Sequence, residues 1–412
     1  MANVSSSNGI EKYPKLRFES FLEEWKEISF CDLFTYVSNN TLSRADLNYE
    51  IGRYQNIHYG DVLINFGPFL DANTNTLPFI NLASEKNFDN MLLQDGDIII
   101  ADTAEDETVG KATEIINTSS RKIVSGLHTI ACRPKIKMMP TYLGFYLNSE
   151  AYHKQLYALM QGIKVLSISK SNIETTIIKY PCIAEQEKVC SLLCLIEKRI
   201  NKQKQLIEHI KKYKRGVIRT IFNDNISFGK NVKLKEVACI YDGTHQTPEY
   251  TTQGVKFVSV ENIEDLLGSK KHISSMAFYK DFKVFPEAGD VLMTRIGDIG
   301  RAAYVNFSEK IAFYVSLALF KCSSKLNGEY LRHFICTDQF QKELWERTLH
   351  IAFPKKINTG EIGECHVVLP PINEQIKIAT ICSSIDKKIY LSEKELSLLQ
   401  FMKAGLQQQL FI

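Results

Sequence analysis

The sequence predicts a mixed α/β (α+β) chain, built from two strand-rich domains and two long helices. Three observations predict it: a stretch of about forty residues that occurs twice, a heptad pattern inside both copies, and strand-rich segments of comparable size before and between them. At 412 residues the chain is too long for one ordinary domain. The expected order is a first domain over 1–184, a spacer helix over 185–224, a second domain over 225–373 and a second spacer helix over 374–412.

The first domain is rich in β-branched runs that end in turn residues. "QDGDIIIADTAEDETVGKA" (94–112) places Gly-Asp before an apolar strand, then a polar loop, then Gly and a small residue. The second domain repeats that skeleton in "EAGDVLMTRIGDIGRAA" (287–303). Later, "YLGFYLNSE" (142–150) matches "YLRHFICTD" (330–338) in residue type. Shared scaffold with divergent loops suggests one task performed twice on different targets.

The repeat is clearest at the helices. "YPCIAEQEKVCSLLCLIEKRI" (180–200) aligns with "LPPINEQIKIATICSSIDKKI" (369–389) without gaps at an offset of 189 (369 − 180), and the alignment continues to Phe222 and Phe411. Steps of four and three residues join Val189, Leu193, Ile196, Ile200, Ile207, Ile210 and Val217, with Gln203 and Lys214 as polar breaks. The second copy gives Ile378, Ile385, Ile389, Leu396, Leu399 and Leu406, with breaks at Ser392 and Lys403. So narrow an apolar stripe predicts that the copies pack on each other as a coiled coil, its polar positions fixing register. The alternative is that each helix packs only on its own domain. Pro181, Pro370 and Pro371 stop the preceding strands, and Glu185 and Glu374 suit the positive end of a helix. A helix from 185 to 222 would be roughly 55 Å long.

Composition excludes several classes. No apolar run approaches a membrane span and the start does not read as a signal peptide, so a cytoplasmic protein with no membrane partner is expected. Ten cysteines are scattered without C-x-x-C or zinc spacing, which predicts reduced thiols and no metal site. "ETVGKAT" lacks the upstream Gly and the following hydroxyl of a phosphate loop, and "RIGDIG" has the wrong glycine spacing for a dinucleotide turn. "VLPPINEQ" resembles the Pro-Pro loop of amino-methyltransferases, but Leu369 stands where an Asn or Asp must accept from the target amine. Asp102 with Glu105 or Asp106 could form an acid pair, although acidic loops are usually just solvated. No catalytic residue is therefore assigned.

The polar loops point elsewhere. "YDGTHQTPEYTTQGVKFVSVENI" (241–263) is dense in hydroxyls and amides, suited to phosphate oxygens and base edges or to a plain polar surface. Its candidates are Thr244, His245, Gln246, Thr247 and Lys256, joined by Arg295 and Arg301 around the 296–300 turn. The first domain offers Asn56, His58, Tyr59, Asn65, Lys111 and Lys122. The net charge of +3 decides nothing, but nine Lys or Arg and one Glu lie between Lys198 and Arg219. Such a run fits a solvated face, phosphate contact or an acidic partner.

Two variable domains alternating with two helices, each introduced by Pro-x-Ile-x-Glu-Gln ("PCIAEQ" and "PPINEQ"), resemble the specificity subunit of type I restriction-modification systems. "YPKLRFESFLEEWKEISFCDLF" and "DGTHQTPEYTTQGVKFVSVENI" resemble the openings of its first and second target-recognition domains. The resemblance implies a pseudo-twofold axis and an antiparallel coiled coil that sets the spacer of a bipartite site in double-stranded DNA. It also implies two docked methyltransferase subunits and two restriction (motor) subunits. S-adenosylmethionine, ATP and Mg would belong to those partners, and this chain, itself no enzyme, would bind none of them. The first domain departs in having few arginines near its loop, so its readout would rest on Asn, Gln, Thr or backbone groups. A coiled-coil scaffold with peptide-binding domains is the alternative; a fused methyltransferase is disfavoured by length and by Leu369.

Overall fold

The computed structural model describes residues 2–3, 12–119, 121–224 and 229–412, and the predicted boundary at 225 lies outside them. The chain divides into two compact units: Met1–Lys204 with Glu395–Ile412, and Gln205–Lys394.

In the first unit, strands β1 (Lys26–Ser29), β2 (Phe34–Val37), β3 (Gln55–Ile57), β4 (Phe69–Asp71), β5 (Phe79–Ile80), β6 (Ile98–Ala101), β7 (Ala112–Ile116), β8 (Ile123–Ser125), β9 (Thr129–Pro134) and β10 (Ile177–Tyr180) build its sheets. The main sheet runs β2-β9-β6-β7-β4. A smaller sheet contains β8-β3-β5, with β8 parallel to β3, and β10 pairs with β1. The central strand β6, sequence IIIA, is buried along its whole length, which explains its unbroken apolar run.

The second unit contains β11 (Lys230–Lys233), β12 (Ala238–Asp242), β13 (Val255–Val258), β14 (His272–Ile273), β15 (Val291–Thr294), β16 (Ala302–Tyr304), β17 (Ile311–Phe313), β18 (Leu317–Cys322) and β19 (His366–Leu369). Its sheets run β12-β18-β15-β16 and β17-β13-β14, with β17 parallel to β13 and β19 pairing with β11. The order β12-β18-β15-β16 repeats β2-β9-β6-β7, and β17-β13-β14 repeats β8-β3-β5; the first unit adds β4 at the edge of its main sheet and Leu47–Asn48 at the edge of its smaller one. The Gly-Asp skeleton does the same work in both. Gly96 and Gly289 turn the chain at φ +88° and +102°, where a side chain would be strained. Asp97 and Asp290 then accept from the backbone N–H of Gln94 and Glu287, each at 2.8 Å. They pair with Arg133 and Lys321, both at 2.7 Å, on the neighbouring strand.

Helices α1 (Tyr59–Ile64), α2 (Tyr142–Leu147), α3 (Glu150–Tyr157), α4 (Lys170–Glu174) and the 37-residue α5 (Ile183–Arg219) belong to the first half of the chain. Helices α6 (Gly328–Ile335), α7 (Asp338–Arg347), α8 (Thr359–Glu364) and the 39-residue α9 (Ile372–Leu410) follow. Each Gln of the repeated motif clamps the start of its long helix. Gln186 accepts from Met139 N–H at 2.9 Å and donates to Pro181 O at 2.9 Å. Gln375 accepts from Asn327 N–H at 2.8 Å and donates to Pro370 O at 2.8 Å. The motif's Glu has diverged: Glu185 forms a buried pair with Arg17 at 2.8 Å, whereas Glu374 is exposed beside Lys377.

The seam is buried or half-buried at every predicted position. Within the first unit, Arg199 meets Glu395 at 3.0 Å and Glu197 meets Lys403 at 2.5 Å. Within the second, Lys211 meets Glu393 at 2.8 Å and Lys214 meets Asp386 at 2.5 Å. In both, residue numbers rise on α5 as they fall on α9, so the helices run antiparallel. Because Glu197 and Asp386 are also 189 apart (386 − 197), the lysine breaks Lys214 and Lys403 form equivalent lysine–carboxylate pairs. Burial opposes ionisation of Asp386, but hydrogen bonding to Lys214 and the charge of Arg332 overcome it and hold its carboxyl below the usual range.

The helix ends are anchored by matching aromatics. Phe411 packs edge-on against Trp25, Tyr142 and Tyr146, with centroids 6.5, 6.0 and 5.6 Å away. Phe222 packs against Tyr330 and Phe334 at 5.7 and 5.6 Å. Among the described residues no helix is long and apolar enough to cross a membrane, and no His, Cys, Asp and Glu are grouped to hold a metal. All ten cysteines are free, and burial pushes the Cys190, Cys322 and Cys365 thiols up to about 12.

Candidate nucleic-acid interface

Four loops gather at one end of the second unit, and Arg295 ties them together. It directly follows β15, and its backbone N–H donates to Ser316 O at 2.9 Å while its carbonyl accepts from Ile357 N–H at 3.0 Å. Its guanidinium donates to Ile357 O at 3.0 Å, Asp242 Oδ1 at 2.7 Å and Val315 O at 3.1 Å. The polar loop 243–254, the 296–300 turn, the 314–316 loop and a hairpin over 349–356 are therefore held side by side.

On this rim His245, Gln246 and Thr247 are exposed, and His245 Nε2 lies 3.8 Å from Asp242. The Thr244 hydroxyl accepts from Gln246 N–H at 3.3 Å and donates to Gln246 O at 3.2 Å, fixing the turn from which they project. Such side chains can reach phosphates and base edges. Arg295 is corrected here: its side chain is 7% exposed and spends its donors inside the unit, so it positions the rim rather than facing a duplex. Lys256 lies away from the rim in the smaller sheet, paired with Glu309 at 3.3 Å. Arg301 is on a different flank, paired with Glu264 and facing a cleft of about 530 Å³ lined by Tyr304, Arg332, Ser383 and Asp386.

The first unit builds the same rim with other side chains. Asp102 directly follows β6 as Arg295 follows β15, its N–H donating to His128 O at 3.2 Å and its carbonyl accepting from Ile168 N–H at 2.9 Å. Its carboxylate accepts from Thr103 Oγ1 at 2.8 Å and lies 3.3 Å from His128 Nδ1. Tyr59 is half-buried, its ring 5.4 Å from His128 and 4.5 Å from His58. His58 caps α1, accepting from Gly60 N–H at 3.2 Å. Burial and the nearby Arg44 hold its imidazole below the usual pKa.

The other first-domain candidates do not converge there. Asn56, a DNA-binding candidate from the sequence, is fully buried and accepts from Asn40 Nδ2 at 2.7 Å, so its side chain faces the interior of the unit. Asn65 is exposed at the end of α1, bonded to Asp61 at 2.9 Å. Lys111 donates to Leu63 O at 2.7 Å beside the helix pair, where burial, then Lys403 and Lys204, push its amine pKa down. Lys122 pairs with Asp89 at 2.7 Å over the ring of Tyr54. Sequence reasoning missed His128, Thr103 and the two hairpins after α3 and α7. Their signal was thin, namely isolated apolar residues in polar stretches, "QGIKVLS" and "HIAFPKK".

Residues 229–400 match the family model of the type I restriction modification DNA specificity domain. The chain is 20% identical over 411 residues to the putative type I restriction enzyme MjaX specificity subunit of Methanocaldococcus jannaschii, covering 93% of this chain and 92% of that protein. It is 24% identical over 264 residues to the MjaVIII specificity subunit of the same organism, covering 57% of this chain and 61% of that relative's length. Over residues 229–400 the chain carries this specificity domain, and along most of its length it is similar to type I specificity subunits. The fold agrees: the chain superposes on the S subunit from M. genitalium with a TM-score of 0.59 at 14% identity, covering 97% and 99% of the two chains.

Proposed function

We propose that this chain is a type I specificity subunit that reads a bipartite site in double-stranded DNA, the domain over 1–184 taking one half and the domain over 225–373 the other. The helices over 185–224 and 374–412 set the unspecified spacer and dock two methyltransferase subunits, to which two restriction subunits add. Methylation and cleavage, with their S-adenosylmethionine, ATP and Mg, reside in those partners. The observation that carries this reading is the duplication itself: one order of the central strands, one rim and one seam ion pair, each occurring in both units. Equivalent frames favour two identical enzyme subunits, while divergent rims, Asp102 and His128 against Arg295 and Asp242, favour two unlike half-sites. Within the first unit, the exposed apolar residues Leu398, Phe401 and Met402 on α9 lie on one side of the helix and suit a protein partner.

The test is a methylation map of DNA from cells carrying the subunit with its methyltransferase, against cells carrying the methyltransferase alone. A two-part motif with a fixed gap is expected. Inserting seven residues at matched points of α5 and α9 should widen the gap by about three base pairs, from roughly 1.5 Å per helical residue against 3.4 Å per base step. An assembled complex with no subunit-dependent motif refutes DNA reading; an unchanged gap refutes the ruler.

A further inference from the structure

Both rims carry a hairpin that leaves large apolar side chains fully in water. In the first unit Gln161 and Ser167 exchange backbone hydrogen bonds at 3.0 and 2.8 Å, and Leu166–Ser167 pairs antiparallel with Thr103–Ala104. At the tip, Ile163 is 101% exposed, with Lys164 and Val165 beside it. In the second unit Leu349 N–H donates to Lys356 O and Gly297 N–H to Lys355 O, both at 2.8 Å. Its tip exposes Ile351 at 99% and Phe353 at 102%, and Lys355 lies 4.6 Å over the ring of Trp345.

One exposed apolar residue needs no explanation, but the arrangement here is repeated. Each hairpin follows the second of two paired helices, α3 or α7, and the residue just after it, Ile168 or Ile357, donates its N–H to the residue just past the central strand, Asp102 or Arg295. The tip sequences, "GIKV" and "IAFP", share no residue in register, yet both put uncovered apolar groups among lysines. A common feature kept in different residues points to a common contact. Its chemistry, apolar at the point and cationic at the base, matches a base stack flanked by phosphates more closely than it matches an apolar protein groove.

We propose that the two hairpins are apolar wedges: Ile163 and Phe353 insert at a base step, one in each half-site, while Lys164 and Lys355–Lys356 meet the adjoining phosphates. The proposal rests on the DNA-reading function and adds to it a deformation of the duplex that sequence-dependent stacking would help to select.

The experiment uses the subunit assembled with its methyltransferase and duplexes carrying 2-aminopurine at successive steps of each half-site, since unstacking raises its fluorescence. Wild-type complex should give a rise in both halves. Ile163→Ser should abolish it in the first half alone and Phe353→Ser in the second alone, each weakening binding roughly tenfold. Both positions are solvent-exposed, so folding should be unaffected, and the size of the assembled complex checks this. Wild-type fluorescence and affinity in both variants would overturn the wedge while leaving DNA reading intact. Loss of methyltransferase from the complex would overturn it in favour of a protein contact. Failure of wild-type complex to distinguish cognate from unrelated duplex would instead overturn DNA reading itself.

Discussion

Replacing Lys403 with Met removes the counter-charge of Glu197, and the cost can be worked from the seam. Cutting one member of a well-buried pair costs about 3–5 kcal/mol, because the remaining charge is stranded. The side chains of Lys403 and Glu197 retain 19% and 12% exposure, so water screens part of the loss and about 2–3 kcal/mol is expected. The related change, Lys214→Met, should cost less, about 1–2 kcal/mol, because Asp386 keeps Arg332 as a second partner. Lys403→Met with Glu197→Met should recover most of the single loss, since it leaves an apolar seam. The assay is urea unfolding followed by tryptophan fluorescence. The chain has two tryptophans, and Trp25 is buried against Phe411 while Trp345 is exposed, so the signal change reports the first unit. A wild-type midpoint in Lys403→Met, or a double variant as weak as the single, would refute the pairing as the source of register.

Three further outcomes are expected. Phe411→Ala should destabilise the first unit by about 3–5 kcal/mol and shift Trp25 emission to the red, whereas Phe222→Ala should leave that emission unchanged; steady-state spectra check both. Burial pushes the Glu114 carboxyl from 4.5 up to about 7, against backbone N–H donors at the start of α2 that favour its charge. The folded state thus holds a proton that the unfolded chain releases, so first-unit stability should fall as pH rises from 4.5 through 7, and Glu114→Gln should flatten that slope in Trp25-monitored unfolding. Burial, then Arg332, lowers His333 from 6.5 to about 3, its Nε2 lying 2.9 Å from Ser383 Oγ. Stability of the second unit should therefore be lost as pH falls from 6.5 toward 3, and hydrogen exchange of α6 amides should lose that dependence in His333→Gln.

Much of the frame was legible from residues. The heptad stripe picked out the buried seam because burial along a helix follows a fixed period, and the Gly-Asp echo found paired strands because a tight turn at positive φ restricts the residue types that can form it. The candidate site was less legible. Arg295 looks like a base-reading residue in a string of letters, and only its bonds to Asp242, Val315 and Ile357 reveal a brace. Lys111 and Arg301 sit near turn sequences in the chain but face the helix pair and a flanking cleft in space. The hairpin tips escaped notice because one exposed Ile or Phe in a sequence looks the same as a buried one.

By itself the sequence determined the duplication, the helix pair, the polar breaks in its seam and the absence of known cofactor motifs, since periodicity and spacing are local properties of the chain. Only the tertiary structure decided that Lys214 answers Asp386 as Lys403 answers Glu197, that Phe222 and Phe411 anchor in matching aromatic clusters, and which polar side chains reach the rim. Those facts depend on contacts between residues far apart in the chain, where burial and hydrogen bonding, rather than residue type, set whether a group faces inward or out.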